Sequence, residues 1–404
     1  MDRFNNLSEA FEYVVRKFPS NVALNYPYES TKITYLEINR IANNLIKEYS
    51  LYKMELGNLI LIINDKSVKC ISLMVACLKL GLIYLNVDPS TPEIRFKKIL
   101  KRTNPSLIFL NEEYDINLNI PHDRIVRLTS TEIENLEGHT NYHRPFNGDQ
   151  PAYLMFTSGS TGEPKGAVIS HLNLLNFIEW SKRYFTINDV DNLSGVNPIY
   201  FDNSVFDFYN SLFNGATLIV IRPNYIKNPN LIIELLNKAK CTIWFSVPSL
   251  LIYLLTMKSI KKESLPNIRK IIFGGEVFPK NKLKKLYDLF KGKADLENVY
   301  GPTECTCICS AHRVEDNDFL DMKSFVPLGK LSDQFDAEIN LISSHHGGEL
   351  ILYGPNVGLG YYNDNQRSKD AFIQSPNNEN FRQIGYKTGD KVKLINGKLH
   401  FIGR

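Results

Sequence analysis

Between Tyr153 and Gly166 the chain passes from a run of β-formers, Tyr153-Leu-Met-Phe156, into Thr157-Ser158-Gly159-Ser160-Thr161-Gly162, and then to Glu-Pro-Lys165. These residue types suit one task. Glycines let several backbone N–H groups turn toward a single point and let a ligand come close, hydroxyls add donors, and Lys165 adds positive charge. The spacing predicts a polyphosphate cradle at the end of a strand. It is not the G-x-x-x-x-G-K-[ST] loop, because neither Gly159 nor Gly162 has a Gly-Lys pair at the required offset.

Clusters of Ser, Thr and Gly are also common in plain surface loops, so the reading depends on other groups that a nucleotide would use. Asn298-Val-Tyr-Gly-Pro-Thr-Glu304 supplies some of them: Tyr300 as a flat face for a base, Gly301-Pro302 to set a turn, and Thr303-Glu304 as a hydroxyl and a carboxylate. Carboxylates suit Mg²⁺ beside nucleotide phosphates. Tyr386-Lys-Thr-Gly-Asp390 offers a second carboxylate, which can accept hydrogen bonds from hydroxyls. His171 follows Ser170 at an expected helix start and reads as an anchoring residue. Cys305, Cys307 and Cys309 are expected on one face of a strand, a spacing that does not suit structural zinc.

The elements that position these groups alternate. Leu59–Ile63, Leu82–Leu85, Ser106–Leu110, Ile125–Leu128 and Tyr153–Phe156 read as strands, with helices over Val68–Leu80 and Pro92–Thr103. After the loop, a helix from Leu172 begins a second series, with strands near Leu193 and over Ala216–Ile221, Thr242–Val247, Lys270–Phe273 and Leu296–Tyr300. Short apolar strands alternating with helices predict an α/β fold with two doubly wound sheets, whose ligands sit at the carboxyl ends of strands. From about residue 325 the chain turns to glycine-punctuated β segments and predicts a small β unit. The expected units are about 1–190, 191–324 and 325–404.

A length of 404 residues and a hydrophobic content of 43% permit several packed units. The net charge of +4, from 47 basic and 43 acidic residues, gives no reason to expect nucleic acid. The basic run Pro279–Lys285 has leucines at helical spacing and predicts a solvated amphipathic helix. No apolar run reaches membrane-spanning length and no signal-peptide core opens the chain, so a cytoplasmic protein is expected.

Taken together, the 153–166 string, Asn298–Glu304, Tyr386–Asp390, the segment Gly348–Tyr361 and Ile33-Thr-Tyr-Leu-Glu37 resemble, in family order, the adenylate-forming superfamily. Within it the chain resembles amino-acid adenylation domains of peptide synthetases and D-alanine:carrier-protein ligases. The resemblance implies ATP and Mg²⁺ as cofactors, with Thr161, Lys165 and Glu304 catalytic and Glu304 holding the metal. It implies that Thr157, Ser158, Gly159, Ser160, Gly162, Glu276, Asn298, Tyr300, Gly301, Thr303, Asp390 and Arg404 bind nucleotide. Gly348–Tyr361 and Ile33–Glu37 are implied to be packing motifs without chemistry. The resemblance covers the N-terminal core and ends at Arg404, where family members open a hinge to a C-terminal lid carrying a further lysine; weak activity is therefore expected of the chain alone.

Phe201-Asp202-Asn-Ser-Val-Phe206 resembles the segment of amino-acid activators in which the aspartate pairs the substrate ammonium. A carboxylate among apolar groups is costly unless a cation meets it, or unless it caps the helix that follows. By resemblance the substrate pocket is lined by Asp202, Asn203, Phe206, Phe245, Ile272, Gly274, Val299, Cys307 and Ile308. It is apolar apart from the first two, and Gly274 is expected to open it. The implied function is ATP-dependent activation of an amino acid for the phosphopantetheine arm of a carrier protein, with a branched aliphatic substrate favoured and D-alanine or another small amino acid next. An acyl-CoA synthetase acting on a non-amino acid, and a non-catalytic nucleotide-binding module, are the alternatives.

Overall fold

The computed structural model describes residues 4–111, 122–128, 140–157, 163–343, 347–376 and 383–404. The loop residues Ser158, Gly159, Ser160, Thr161 and Gly162 lie outside them. The chain folds as a mixed α/β protein with two large sheets and a smaller β sheet, as the alternation predicts.

The first sheet has seven strands in the order Gly360–Tyr361, Lys165–Ser170, Pro151–Thr157, Ile83–Val87, Leu59–Ile63, Leu107–Asn111 and Ile125–Leu128. The last five run parallel, and the first two close one edge antiparallel. The second sheet has nine strands, with a parallel centre running from Asp295–Tyr300 through Lys270–Gly274, Ile243–Ser246, Asn192–Gly195 and Thr217–Val220 to Val22–Tyr26. Leu59–Ile63 is apolar at every position because both of its faces are covered. The third sheet is antiparallel and built on Asp336–Ser343, Gly347–Tyr353 and Ile384–Ile395.

The two large sheets share one core. Helices Val68–Leu80, His171–Phe185 and Asn203–Leu212 contribute to the same buried cluster as residues from both sheets, and all ten residues of Asn203–Leu212 are buried. The Ile33–Glu37 motif is a packing element in this structure. Thr34 and Glu37 form a capping box at the start of helix Tyr35–Glu48, while the Tyr35 hydroxyl donates to the carbonyls of Ala216 (2.6 Å) and Ser211 (3.0 Å), tying the N-terminal helices to the second sheet. Among the described residues no helix is long and apolar enough to cross a membrane.

Several strands have no counterpart in the sequence reading, and three of them bear on the site or its frame. Val22–Tyr26 pairs with Thr217–Val220 far along the chain and carries Thr31–Thr34 at the edge. Lys165–Ser170 folds back on Pro151–Thr157 as the second arm of a hairpin. The cysteine expectation needs correction: Cys305 ends a 3₁₀ turn, and Thr306 and Cys307 both have positive φ, so no strand runs through them. All three thiols are buried and free, and no group of three His, Cys, Asp or Glu side chains suited to a metal occurs among the described residues. The basic run forms helix Lys280–Phe290 with Leu283, Leu286 and Phe290 buried, although Lys280 is buried too and donates to the Asp321 carbonyl at 2.7 Å.

His171 is fully buried behind the capping box that Ser170 makes with Asn173; its Nδ1 accepts from the Leu7 backbone N–H at 3.3 Å. It anchors the first helix, and burial holds its pKa down from 6.5 to about 3. Because the unfolded state binds the proton more tightly, the contribution of His171 is complete above pH 6.5 and is lost as pH falls toward 3. Urea denaturation should therefore show a loss of about 1 kcal/mol between pH 7 and pH 5.5 that His171→Asn largely abolishes; equal losses in both proteins would contradict this account.

Candidate active site

The ends of the loop expected to cradle phosphates are held by the hairpin, in which Thr157 sits directly opposite Lys165. Gly166 follows because the Phe156 ring crosses there, and a Cβ would lie 3.0 Å from it. The Thr157 hydroxyl is buried without a partner among the described residues, a donor at the mouth of the loop.

Glu304 is the meeting point of the site. It sits on the 3₁₀ turn Thr303–Cys305 that follows strand Asp295–Tyr300, and the turn is packed so closely that a Cβ on Gly301 would lie 2.3 Å from the Cys307 carbonyl oxygen. Glu304 is only 4% exposed. Its Oε1 lies 3.0 Å from Lys165 Nζ and accepts from the Tyr361 hydroxyl at 2.7 Å. Lys165 Nζ also donates to the Tyr361 hydroxyl at 2.9 Å, and the Tyr386 hydroxyl is 3.3 Å beyond. Burial first, and then the charge of Glu304, push the phenols of Tyr361 and Tyr386 well above the ordinary tyrosine range, so both remain donors.

A second constellation lies alongside. The Tyr300 hydroxyl donates to Asp390 Oδ2 at 2.7 Å, and Arg404 Nε lies 3.2 Å from Asp390 Oδ1. Two expected nucleotide contacts have other partners. Asn298 donates to the Pro327 carbonyl at 2.8 Å, and Glu276 is exposed and accepts from the Ser249 N–H at 3.1 Å, at the start of helix Pro248–Thr256.

Asp202 stands at the start of helix Asn203–Leu212 but makes no capping bond. Its Oδ2 accepts instead from the Thr303 hydroxyl at 2.7 Å. Burial raises its pKa to about 6; the Thr303 bond opposes the rise and the nearby charge of Glu304 adds to it. Asp202, Thr303, Thr157, Met155, Tyr200 and Arg95 are among the residues lining a cleft of about 580 Å³. None of the other expected pocket residues is among those lining this cleft; Phe206, Phe245, Ile272, Val299, Cys307 and Ile308 belong to the buried core shared by the two large sheets, with the Phe206 and Phe245 rings edge to face at 5.1 Å. Asn203 is buried beside them with its amide nitrogen unpartnered among the described residues. Gly274 does not open this group: a Cβ there would lie 2.4 Å from the Val299 carbonyl oxygen, so the glycine serves close packing of adjacent strands.

Sequence reasoning missed Tyr361 and Tyr386 as site residues although it quoted both. It also missed Lys66, which has positive φ and is buried, with Nζ donating to the carbonyls of Gly195 (2.6 Å) and Ile221 (3.0 Å) across to the second sheet. Burial pulls its ammonium down to about 8 against the opposing charge of Asp207. A lysine bounded by Asp65 and Ser67 reads as a surface turn, and only the fold reveals its burial.

The chain matches the family described as AMP-binding enzyme over residues 11–362. It is 32% identical to bacitracin synthase 1 of Bacillus licheniformis over 98% of its own length, but spans only 7% of that protein. It is 31% identical to the D-alanine--D-alanyl carrier protein ligase of Bacillus licheniformis, covering 84% of this chain and 67% of the ligase. Among solved structures it superposes on the nonribosomal peptide synthetase FmoA3 with a TM-score of 0.88 at 25% identity, over 99% of this chain and 42% of the other.

The packing of Gly274 can be tested directly. Gly274→Ala should lower stability by about 1–3 kcal/mol through overpacking against Val299; an unchanged urea midpoint would return the glycine to the role of opening a pocket.

Proposed function

We propose, because the chain belongs to the AMP-binding enzyme family, that it activates an amino acid with ATP, forming aminoacyl-AMP and pyrophosphate, for transfer to the phosphopantetheine thiol of a carrier protein. The observation that carries this reading is Asp202: a carboxylate fixed by Thr303, one residue from Glu304, and lining a cleft together with Met155, Phe156 and Tyr200. A half-buried acid lining a cleft is best stabilised by a cation, and the ammonium of an amino acid supplies it.

The substrate carboxylate attacks the α-phosphate in line, and the bond to pyrophosphate breaks. A carboxylate is already ionised at neutral pH, so no general base is needed, and positioning and charge neutralisation are what the site must provide. Lys165 neutralises phosphate charge, the Thr157–Gly162 loop supplies donors, and the Tyr300 ring offers a face to the base. Asp390, with Arg404 beside it, accepts from the ribose hydroxyls. The buried Glu304 carboxylate suits Mg²⁺, which is bound in nucleotide sites through one or two carboxylates together with phosphates. When bound, Mg²⁺ would neutralise phosphate charge, with Glu304 as its protein ligand. The name of the D-alanine--D-alanyl carrier protein ligase supports an amino-acid substrate, and the apolar residues that the resemblance assigns to the pocket favour a branched aliphatic side chain. The ligase likeness makes D-alanine the second candidate. The three units proposed are about 1–190, 191–324 and 325–404. Full activity would need the lid lysine, and the six free cysteines suit a reducing, cytoplasmic setting.

Pyrophosphate exchange across the proteinogenic amino acids and D-alanine tests the substrate. Exchange should be amino-acid dependent and strongest with isoleucine, valine or leucine, with neighbours one methylene away also accepted, since such a difference is worth only about 1–3 kcal/mol. A preference for a charged substrate, or exchange only with non-amino acids, would overturn the assignment.

Asp202 adds a pH signature. Its carboxylate must be ionised to meet the ammonium, so kcat/KM for the amino acid should fall as pH drops through about 6. Asp202→Ala should cost roughly 2–5 kcal/mol in amino-acid recognition while ATP binding is nearly unchanged. Equal losses for both ligands would make Asp202 structural.

A further inference from the structure

Tyr361 ends the glycine-rich segment that reads as a packing motif, yet the fold delivers its hydroxyl to the centre of the site. Strand Gly360–Tyr361 pairs with Lys165–Ser170, setting Tyr361 opposite Ala167, so the Lys165 ammonium lies 4.9 Å from the Tyr361 ring centre. The ring is fixed from two sides: the Tyr361 N–H donates to Ser368 Oγ at 2.8 Å, and Phe372 packs edge-on at 5.4 Å.

Two donors share one oxygen of Glu304, the Lys165 ammonium at 3.0 Å and the Tyr361 hydroxyl at 2.7 Å. On the nucleotide-binding reading above, on which this inference rests, the lysine is needed by phosphates. A carboxylate that loses its lysine at 4% exposure is costly and free to turn. The phenol has no competing task. We propose that Tyr361 is the positioning residue that keeps the Glu304 carboxylate oriented toward a divalent cation while Lys165 serves the polyphosphate. A hydroxyl suits this role better than a second cation would, because it occupies a single lone pair and leaves the negative charge available. Tyr386, 3.3 Å from the Tyr361 hydroxyl, backs it.

The test is calorimetric titration with the non-hydrolysable ATP analogue AMPPNP, in Mg²⁺ and in EDTA, on the wild-type chain and on Tyr361→Phe. Loss of one charge-assisted bond should weaken binding about tenfold in Mg²⁺ and by less than about twofold in EDTA. A merely structural role would weaken both equally, and that result, or no loss in either medium, overturns the inference while leaving nucleotide binding intact. If the wild-type chain binds AMPPNP in neither medium, the functional reading fails and the inference falls with it. Should Tyr361→Phe not fold, Tyr386→Phe decides by the same criterion, with a smaller loss confined to Mg²⁺ expected and equal losses in both media overturning the inference.

Discussion

A negative charge at 4% exposure governs the arrangement of this molecule. Glu304 hangs from the end of a strand in the nine-stranded sheet, its cation Lys165 comes from the hairpin of the seven-stranded sheet, Tyr361 comes from the edge strand added to that sheet, and Tyr386 comes from the β unit. An unpaired buried carboxylate costs several kcal/mol, a large share of the net stability of any domain. All three sheets must therefore be in register before this single group is satisfied. The site is both the product of the fold and one of the conditions for it.

Two buried lysines carry the same logic into the scaffold. Lys66 reaches from the end of strand Leu59–Ile63 to carbonyl oxygens at the ends of Asn192–Gly195 and Thr217–Val220, so the two large sheets are tied through one ammonium. Lys79, fully buried in helix Val68–Leu80, meets Glu12 at 2.8 Å, Asn43 at 2.8 Å, Asn39 at 2.5 Å and Asn141 at 2.7 Å, joining the N-terminal helices to the segment that leads into the phosphate-loop strand. Such groups specify how elements meet more than they stabilise, because their desolvation offsets much of what their bonds contribute.

The legible parts of the sequence were those encoded locally. Val68–Leu80 and Ile125–Leu128 fall where their patterns place them, and the turn after Tyr300 carries its carboxylate as its glycine and proline suggest. Asp202 with Thr303, and Tyr300 with Asp390, meet although about a hundred residues separate the first pair, because each motif follows the carboxyl end of a strand or sits on the unit packed against it. What could not be read depends on pairing between distant segments. Val22–Tyr26 joins the nine-stranded sheet because Leu218 and Ile219 stand beside it; Gly274 looks like space until Val299 fills it; and Tyr361 looks like packing until its neighbour strand proves to be the one that carries Lys165. Residue type announces a lysine or a carboxylate, but not whether a helix start is capped by it or turned toward a threonine.

The separation between the two halves of the site is set by one turn. Thr303 and Glu304 are consecutive; the hydroxyl of the first holds Asp202 while the carboxylate of the second meets Lys165 and Tyr361. Gly301 and Pro302 leave that turn little freedom, since the Cys307 carbonyl oxygen fills the space next to Gly301. The two carboxylates also sense each other: after burial, the charge of Glu304 is what raises Asp202. Positive charge gathered at Glu304 lowers that obstacle and favours ionised Asp202, and a cation at Asp202 does the same in return, because coupling between two sites is reciprocal. A turn bearing one group on each side thus fixes the distance between the two halves, and a cation that meets either carboxylate relieves its repulsion of the other with no movement of the backbone required.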